Sequence, residues 1–155
     1  MSEWTPRQSA DLYQVNSWGS GYFSVSEDGN LQVHPRLENG AAIDLPKLVG
    51  ELGRRGLRHP MLIRFSDILK TRIESLAGCF ASAIEEQEYS GRWRGVYPIK
   101  VNQPAHVVEE IVEFGAPFGD GRDAGTEPAT LIAPAPLALA TALLLSNGTK
   151  AHTYI

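Results

Sequence analysis

One lysine carries the strongest chemical signal in this 155-residue chain. In the octapeptide Val96-Tyr97-Pro98-Ile99-Lys100-Val101-Asn102-Gln103, Lys100 ends an apolar, β-type run and stands just before a helix that Pro104 starts. An amine held at such a strand-to-helix turn is partly desolvated, which favours its neutral form and lets it attack an aldehyde carbon. On the residues alone two readings stand: a Schiff-base lysine of this kind, or a solvated lysine that closes a strand.

The other reactive residue types make no comparable pattern. His34, His59, His106 and His152 are scattered, and no two share a helical face as metal ligands would, so no metal ligand is assigned. His106 is near Lys100 in sequence, but a first helical turn points it away from a strand end as easily as toward it. Glu85-Glu86 and Glu109-Glu110 have no base beside them and read as solvated faces. Trp18-Gly19-Ser20-Gly21-Tyr22 has the glycines of a phosphate loop without the Gly-Lys-Ser/Thr ending or a preceding strand. A Gly-x-Ser-x-Gly elbow does not occur.

Tyr97-Pro98-Ile99-Lys100-Val101-Asn102-Gln103 resembles the pyridoxal-phosphate lysine motif of biosynthetic arginine decarboxylases. These lie in the alanine-racemase-like group that includes ornithine and diaminopimelate decarboxylases. Gly21-Tyr22-Phe23, Asp44-Leu45, Leu48-Val49, Ile68-Leu69, Arg72 and Tyr89 fall in similar order and spacing, so the likeness covers residues 13 to 118. The resemblance implies that Lys100 binds pyridoxal 5'-phosphate as the Schiff-base residue, making it both catalytic and cofactor-binding. It also implies that an acidic residue, in a Gly-x-Glu/Asp-Ala-Gly-Ser-like motif of the second βα unit, comes close to the lysine and cofactor. Gly121-Arg122-Asp123-Ala124-Gly125-Thr126 matches that motif and makes Asp123 the second catalytic candidate; a flexible acidic loop is the other reading of the segment. Two departures follow it. Glu127-Pro128-Ala129 stands where the family has a lysine and a good helix start, and Ser146-Asn147-Gly148-Thr149-Lys150 differs from a Cys-Asn-Gly-Tyr-Lys motif in its cysteine and tyrosine, so no site is assigned there.

The reaction implied is decarboxylation of L-arginine to agmatine, feeding polyamine synthesis, with Mg2+ often associated in the family. Full-length members form homo-oligomers. The long N-terminal region and the Tyr-Pro-Ile-Lys-Val-Asn-Gln form favour arginine over ornithine or diaminopimelate as substrate.

The elements that must position these residues are legible in the pattern. Residues 1–19 lack periodicity and read as an irregular arm. Tyr22-Phe23-Ser24-Val25 and Leu31-Gln32-Val33 flank Glu27-Asp28-Gly29-Asn30, which predicts a β-hairpin. Asp44 caps a helix with Pro46 in its first turn, Leu48, Val49 and Leu52 on one face, and Gly56 as its left-handed stop. Residues 61–65, Met-Leu-Ile-Arg-Phe, read as a buried strand, and a helix capped by Ser66 carries Leu69, Ile73, Leu76, Phe80 and Ala83 as one stripe. Residues 95–101 form the next strand, which Pro98 argues is not fully paired, and a helix from Pro104 to Gly115 turns Val107, Val108, Ile111 and Val112 inward. Beyond it, residues 127–139 are an alanine-rich helix candidate and residues 142–145 a strand candidate.

Strands alternating with helices at this spacing predict an α/β fold around a parallel sheet. We expect an N-terminal arm, hairpin and short helix over residues 1–60, then a partial PLP-binding barrel over 61–155. A full TIM-type barrel of eight units needs roughly 250 residues, so the chain supplies about two and a half units and is expected to be an incomplete, N-terminal part, inactive alone. A part of this kind leaves a sheet edge open, which raises an alternative: a non-catalytic, decarboxylase-like fragment that binds or regulates a full-length subunit.

Composition narrows the partners. A formal charge of −4 with 14 basic residues spread thinly removes the case for nucleic acid or an anionic membrane surface. Hydrophobic residues make up 43% of the chain, enough for a core. A single cysteine, Cys79, gives no disulfide framework and suits the reducing cytoplasm. The first thirty residues hold no apolar signal segment, and prolines break the longest apolar stretch short of the ~20 residues a bilayer needs.

Overall fold

The structure, a computed structural model, describes residues 4–37, 40–99, 102–119, 121–123 and 144–145. The chain divides into two compact units, Met1–Ile68 and Leu69–Ile155.

The first unit opens with two short helices, α1 (Pro6–Leu12) and α2 (Val15–Trp18), where an irregular arm was expected. The physical reason is a capping box: the Thr5 side chain accepts from the Gln8 amide while the Gln8 side chain accepts from the Thr5 amide at 2.9 Å, and Pro6 occupies the first turn. Strands β1 (Phe23–Val25) and β2 (Leu31–Val33) then form the expected antiparallel hairpin, in the register Phe23↔Val33, Ser24↔Gln32, Val25↔Leu31. Ser26 and Gly29 close its turn, with Gly29 at φ +80. Among the described residues of this unit, Val15, Tyr22 and Val33 are buried apolar side chains.

A two-residue strand, β3 (Ile43–Asp44), adds to β2, too short to show as a sequence pattern. Asp44 then caps α3 (Leu45–Arg54) as expected, with Oδ1 accepting the Lys47 amide at 3.0 Å. Its Oδ2 accepts from the Asn30 side chain at 2.9 Å, so one carboxylate joins hairpin turn, strand and helix. That Asn30 bond, then the Lys47 amide, holds the Asp44 carboxyl below its usual range. Gly56 follows α3 at φ +90, the expected stop.

Residues 61–65 differ from expectation, since no strand forms there and Leu62 is 82% exposed. Exposure alternates residue by residue, as in an extended chain, but a strand needs a ladder partner, and among the described residues none pairs with this segment. Arg36 and Asp67 make a two-pronged ion pair nearby, Nε to Oδ2 at 2.9 Å and Nη2 to Oδ1 at 3.3 Å, both side chains solvated.

The helix α4 (Ser66–Glu86) begins where expected and supplies the first long element of the second unit. Its predicted stripe is only partly covered: Leu69 and Ile73 are half-buried, Leu76 is 52% and Phe80 41% exposed, and the buried residue of the helix is Ala77, outside that stripe. Phe80 finds an aromatic partner instead, stacking on Trp93 with centroids 4.8 Å apart and planes within 8°. Next come β4 (Val96–Pro98), α5 (Ala105–Gly115), β5 (Gly121–Asp123) and β6 (Leu144–Leu145). The three strands form a parallel sheet in the order β4-β5-β6, which places Pro98 on an edge of the described sheet, where its missing amide donor does least harm. Val107, Val108 and Ile111 of α5 turn inward as expected. Strand β6 falls within the candidate at 142–145; the helix candidate at 127–139, the Ser146 to Lys150 motif and His152 lie outside the described residues.

Candidate functional site

A parallel strand followed by a helix delivers its C-terminal end to one rim of the sheet, and that rim is where ligands collect in α/β folds. In β4 the C-terminal residue is Pro98, and in β5 it is Asp123; the two are direct partners in the parallel register. Lys100 follows Pro98 by two residues in the sequence. Lys100 itself lies outside the described residues, and of Asp123 only the backbone position is described. The register thus brings the backbone of the second candidate beside the strand that leads into the first.

What holds this rim is well defined. Ile99 is fully buried and packs with Val108 of α5, the half-buried ring of Tyr97 resting against both. The residue just before Lys100 is therefore anchored in the core of the unit. The Tyr97 hydroxyl donates to the Asn102 carbonyl at 3.0 Å, linking the end of β4 to the turn that enters α5. Pro104 then caps α5 without any side-chain bond, in keeping with proline's place at helix starts. Leu69, Ile73, Leu76, Trp93, Val96, Tyr97 and Ile111 line an open apolar pocket of about 180 Å³.

Other chemical candidates resolve into structure. Gly19 is small because a Cβ there would meet the Val15 carbonyl oxygen at 2.5 Å, and Gly21 sits at φ +81, so the glycine pair serves chain path rather than phosphate. His106 is exposed in the first turn of α5. His34 bonds Ser24 Oγ at 2.6 Å, a contact sequence reading missed. Since Ser24 pairs with Gln32, His34 is its diagonal neighbour on the same sheet face, a signal available once the hairpin register was known. Among the described residues no group of three or more His, Cys, Asp or Glu could hold a metal ion, and no helix is long and apolar enough to cross a membrane.

Comparison with known proteins follows the same direction as the motif, although no family model matches the chain. It is 52% identical over all 155 residues to the biosynthetic arginine decarboxylase of Gloeobacter violaceus, and 44% identical over 99% of its length to that of Thermosynechococcus vestitus. Among solved structures, the biosynthetic arginine decarboxylase SpeA from Campylobacter jejuni superposes on 90% of the chain with a TM-score of 0.77 at 31% identity. The chain spans about a quarter of the length of each: 24% of the two curated relatives and 23% of the solved one, a share that fits an N-terminal part.

Proposed function

We propose that this chain, kin over its whole length to biosynthetic arginine decarboxylases, forms the N-terminal part of an enzyme that converts L-arginine to agmatine with pyridoxal 5'-phosphate, in polyamine synthesis. The observation that carries the reading is the Tyr-Pro-Ile-Lys-Val-Asn-Gln segment at the C-terminal end of a parallel strand, in a chain 52% identical to a named arginine decarboxylase.

The residues present suit such a cofactor. In the sequence a primary amine directly follows Ile99, which is fully buried just beyond the end of β4. A carboxylate residue, Asp123, ends the neighbouring parallel strand as the partner of Pro98, which precedes the lysine by two positions in the sequence. When bound, pyridoxal phosphate supplies a protonated ring that accepts the electron pair left behind as carbon dioxide departs. In this reading Lys100 would hold the cofactor through its aldehyde, and Asp123, whose backbone pairs with Pro98, would be the acidic residue beside the cofactor.

The β4-β5-β6 sheet would be the first portion of a TIM-type barrel, with residues 1–60 as the N-terminal arm, hairpin and helix and 61–155 as the partial barrel. Such a barrel needs roughly 250 residues to close, so turnover requires more chain than these 155 residues. Cytoplasmic location, homo-oligomer formation and an associated Mg2+ complete the proposal on kinship alone.

The test is covalent trapping. The intact protein that carries this sequence is incubated with pyridoxal 5'-phosphate, reduced with borohydride and mapped by mass spectrometry. The reading expects the pyridoxyl group on Lys100. Label on a different lysine, or none, refutes it.

A further inference from the structure

We infer that the groove along the outer edge of β1 receives an extended strand from the part of the intact polypeptide outside these 155 residues, an inference that rests on the reading of the chain as the N-terminal part of a longer protein. It makes no use of Lys100. Among the described residues β1 is an outer strand of the β1-β2-β3 sheet.

Hydrogen bonding across the hairpin fixes which backbone groups face that edge. The His34 amide donates to the Tyr22 carbonyl and the Ser26 amide to the Asn30 carbonyl, each at 2.8 Å. Bonded and non-bonded pairs alternate along an antiparallel ladder, so Ser24↔Gln32 is bonded whereas Phe23↔Val33 and Val25↔Leu31 are not. The amides and carbonyls of Phe23 and Val25 therefore turn away from β2. An open groove of about 460 Å³ runs here, with Ser24, Val25 and Ser26 on one wall and residues of α1 and α2 on the other. Consecutive residues point to opposite faces of a strand, so a wall that shows all three is the strand's edge. Gly19 closes one end, since a Cβ there would stand 3.2 Å from the Phe23 carbonyl oxygen, which leaves Val25 as the pairing position.

The slot suits a single strand, because α1 and α2 flank the edge and keep a second sheet from lying flat against it. The unit also calls for a lasting cover. Trp4, Leu12, Tyr13 and Trp18, on or beside the helices that wall the groove, are each more than half exposed. Both indole N–H groups are already bonded within the unit, Trp4 Nε1 to Ser9 Oγ at 2.7 Å and Trp18 Nε1 to the Tyr13 carbonyl at 3.0 Å, so what the rings present outward is carbon. Clustered apolar surface of this kind matches a permanent neighbour better than a peptide that comes and goes. In a polypeptide of the curated relatives' length, of which this chain spans 24%, the remainder is tethered to the groove at an effective concentration that a free partner does not reach.

The experiment uses the intact protein that carries this sequence. The photo-cross-linker p-benzoylphenylalanine is placed at the position of Ala10 on the α1 wall and, in a second variant, at that of Glu27 on the β1 side, so that one unstable variant does not end the test. Cross-links are mapped by mass spectrometry in a mixture of unlabelled and isotope-labelled protein, which separates links within a molecule from links between copies. Amide hydrogen exchange is read residue by residue on the unsubstituted protein. The expected result is a link within one molecule to a segment beyond residue 155, with the Val25 amide exchanging within about tenfold of the Ser26 amide. A link to a second copy, to a different protein or only to residues within these 155, or no link from either position, overturns the inference. A Val25 amide that exchanges more than about tenfold faster than that of Ser26 overturns it whatever the links show. If the groove fails these tests while borohydride still labels Lys100, only this inference falls; if the intact polypeptide has no segment beyond these residues, the reading as an N-terminal part falls with it.

Discussion

Ile99 offers the sharpest test of how the rim is built. Its side chain is fully buried, Val108 beside it is 1% exposed, and Tyr97 covers the pair. Replacing Ile99 by alanine removes three carbons, each worth about 0.8 kcal/mol of transfer free energy, or about 2.4 kcal/mol before any void is counted. A void that the neighbours fail to fill raises the loss toward about 4 kcal/mol, because the surrounding atoms lose contacts that nothing replaces. Replacing it by valine removes one carbon and costs about 1 kcal/mol. Urea unfolding followed by tryptophan fluorescence reads the difference. With a slope of about 2 kcal/mol/M, alanine lowers the midpoint by about 1 to 2 M and valine by about 0.5 M. Glu109→Ala, on the outward face of α5, shifts it by less than about 0.3 M. If alanine costs no more than valine, Ile99 is not in a packed core and the anchoring of the residue before the lysine fails as an explanation.

Two further predictions concern the first unit. Asn30 and the Lys47 amide hold the Asp44 carboxyl below its ordinary value of 3.8, so the folded chain takes up this proton less readily than the unfolded chain. The resulting stabilisation is complete above the unfolded value and is lost as pH falls through the lower folded one; melting curves from about pH 5 down to about pH 2.5 should fall less steeply for Asp44→Asn than for the parent, and parallel curves would refute the assignment. The second prediction pairs two glycines. Gly19→Ala must displace the Val15 carbonyl or the Phe23 side chain and lowers the urea midpoint, whereas Gly50→Ala, inside α3 with open space around it, adds about 0.5 to 1 kcal/mol of helix stability and so raises the midpoint by about 0.3 to 0.5 M. Shifts of the same sign would contradict the geometry.

The hairpin and α3 were readable from sequence because each carries local chemistry that works without tertiary help: Asp28-Gly29 at the turn, Asp44 at the cap, Gly56 at the stop. The same kind of chemistry was present and passed over in Thr5-Pro6-Arg7-Gln8, a capping box that starts α1 although no apolar period follows it. Residues 61–65 show the opposite failure. Their apolar run is right for a buried strand, but a strand exists only when a partner lies beside it, and sequence composition does not say where the partner is. At the candidate site, the motif gave Lys100 and the parallel register set the backbone of Asp123 beside Pro98, whereas the Tyr97 to Asn102 bond depends on side-chain direction that no spacing rule encodes.

The central claim is that the Lys100 amine is the group on which arginine decarboxylation depends, and agmatine formation measures that directly. In the intact protein with saturating pyridoxal 5'-phosphate, the parent should produce agmatine from L-arginine and Lys100→Ala should lose about a thousandfold or more in turnover. Agmatine formation at the parent rate in the Lys100→Ala protein would contradict the account.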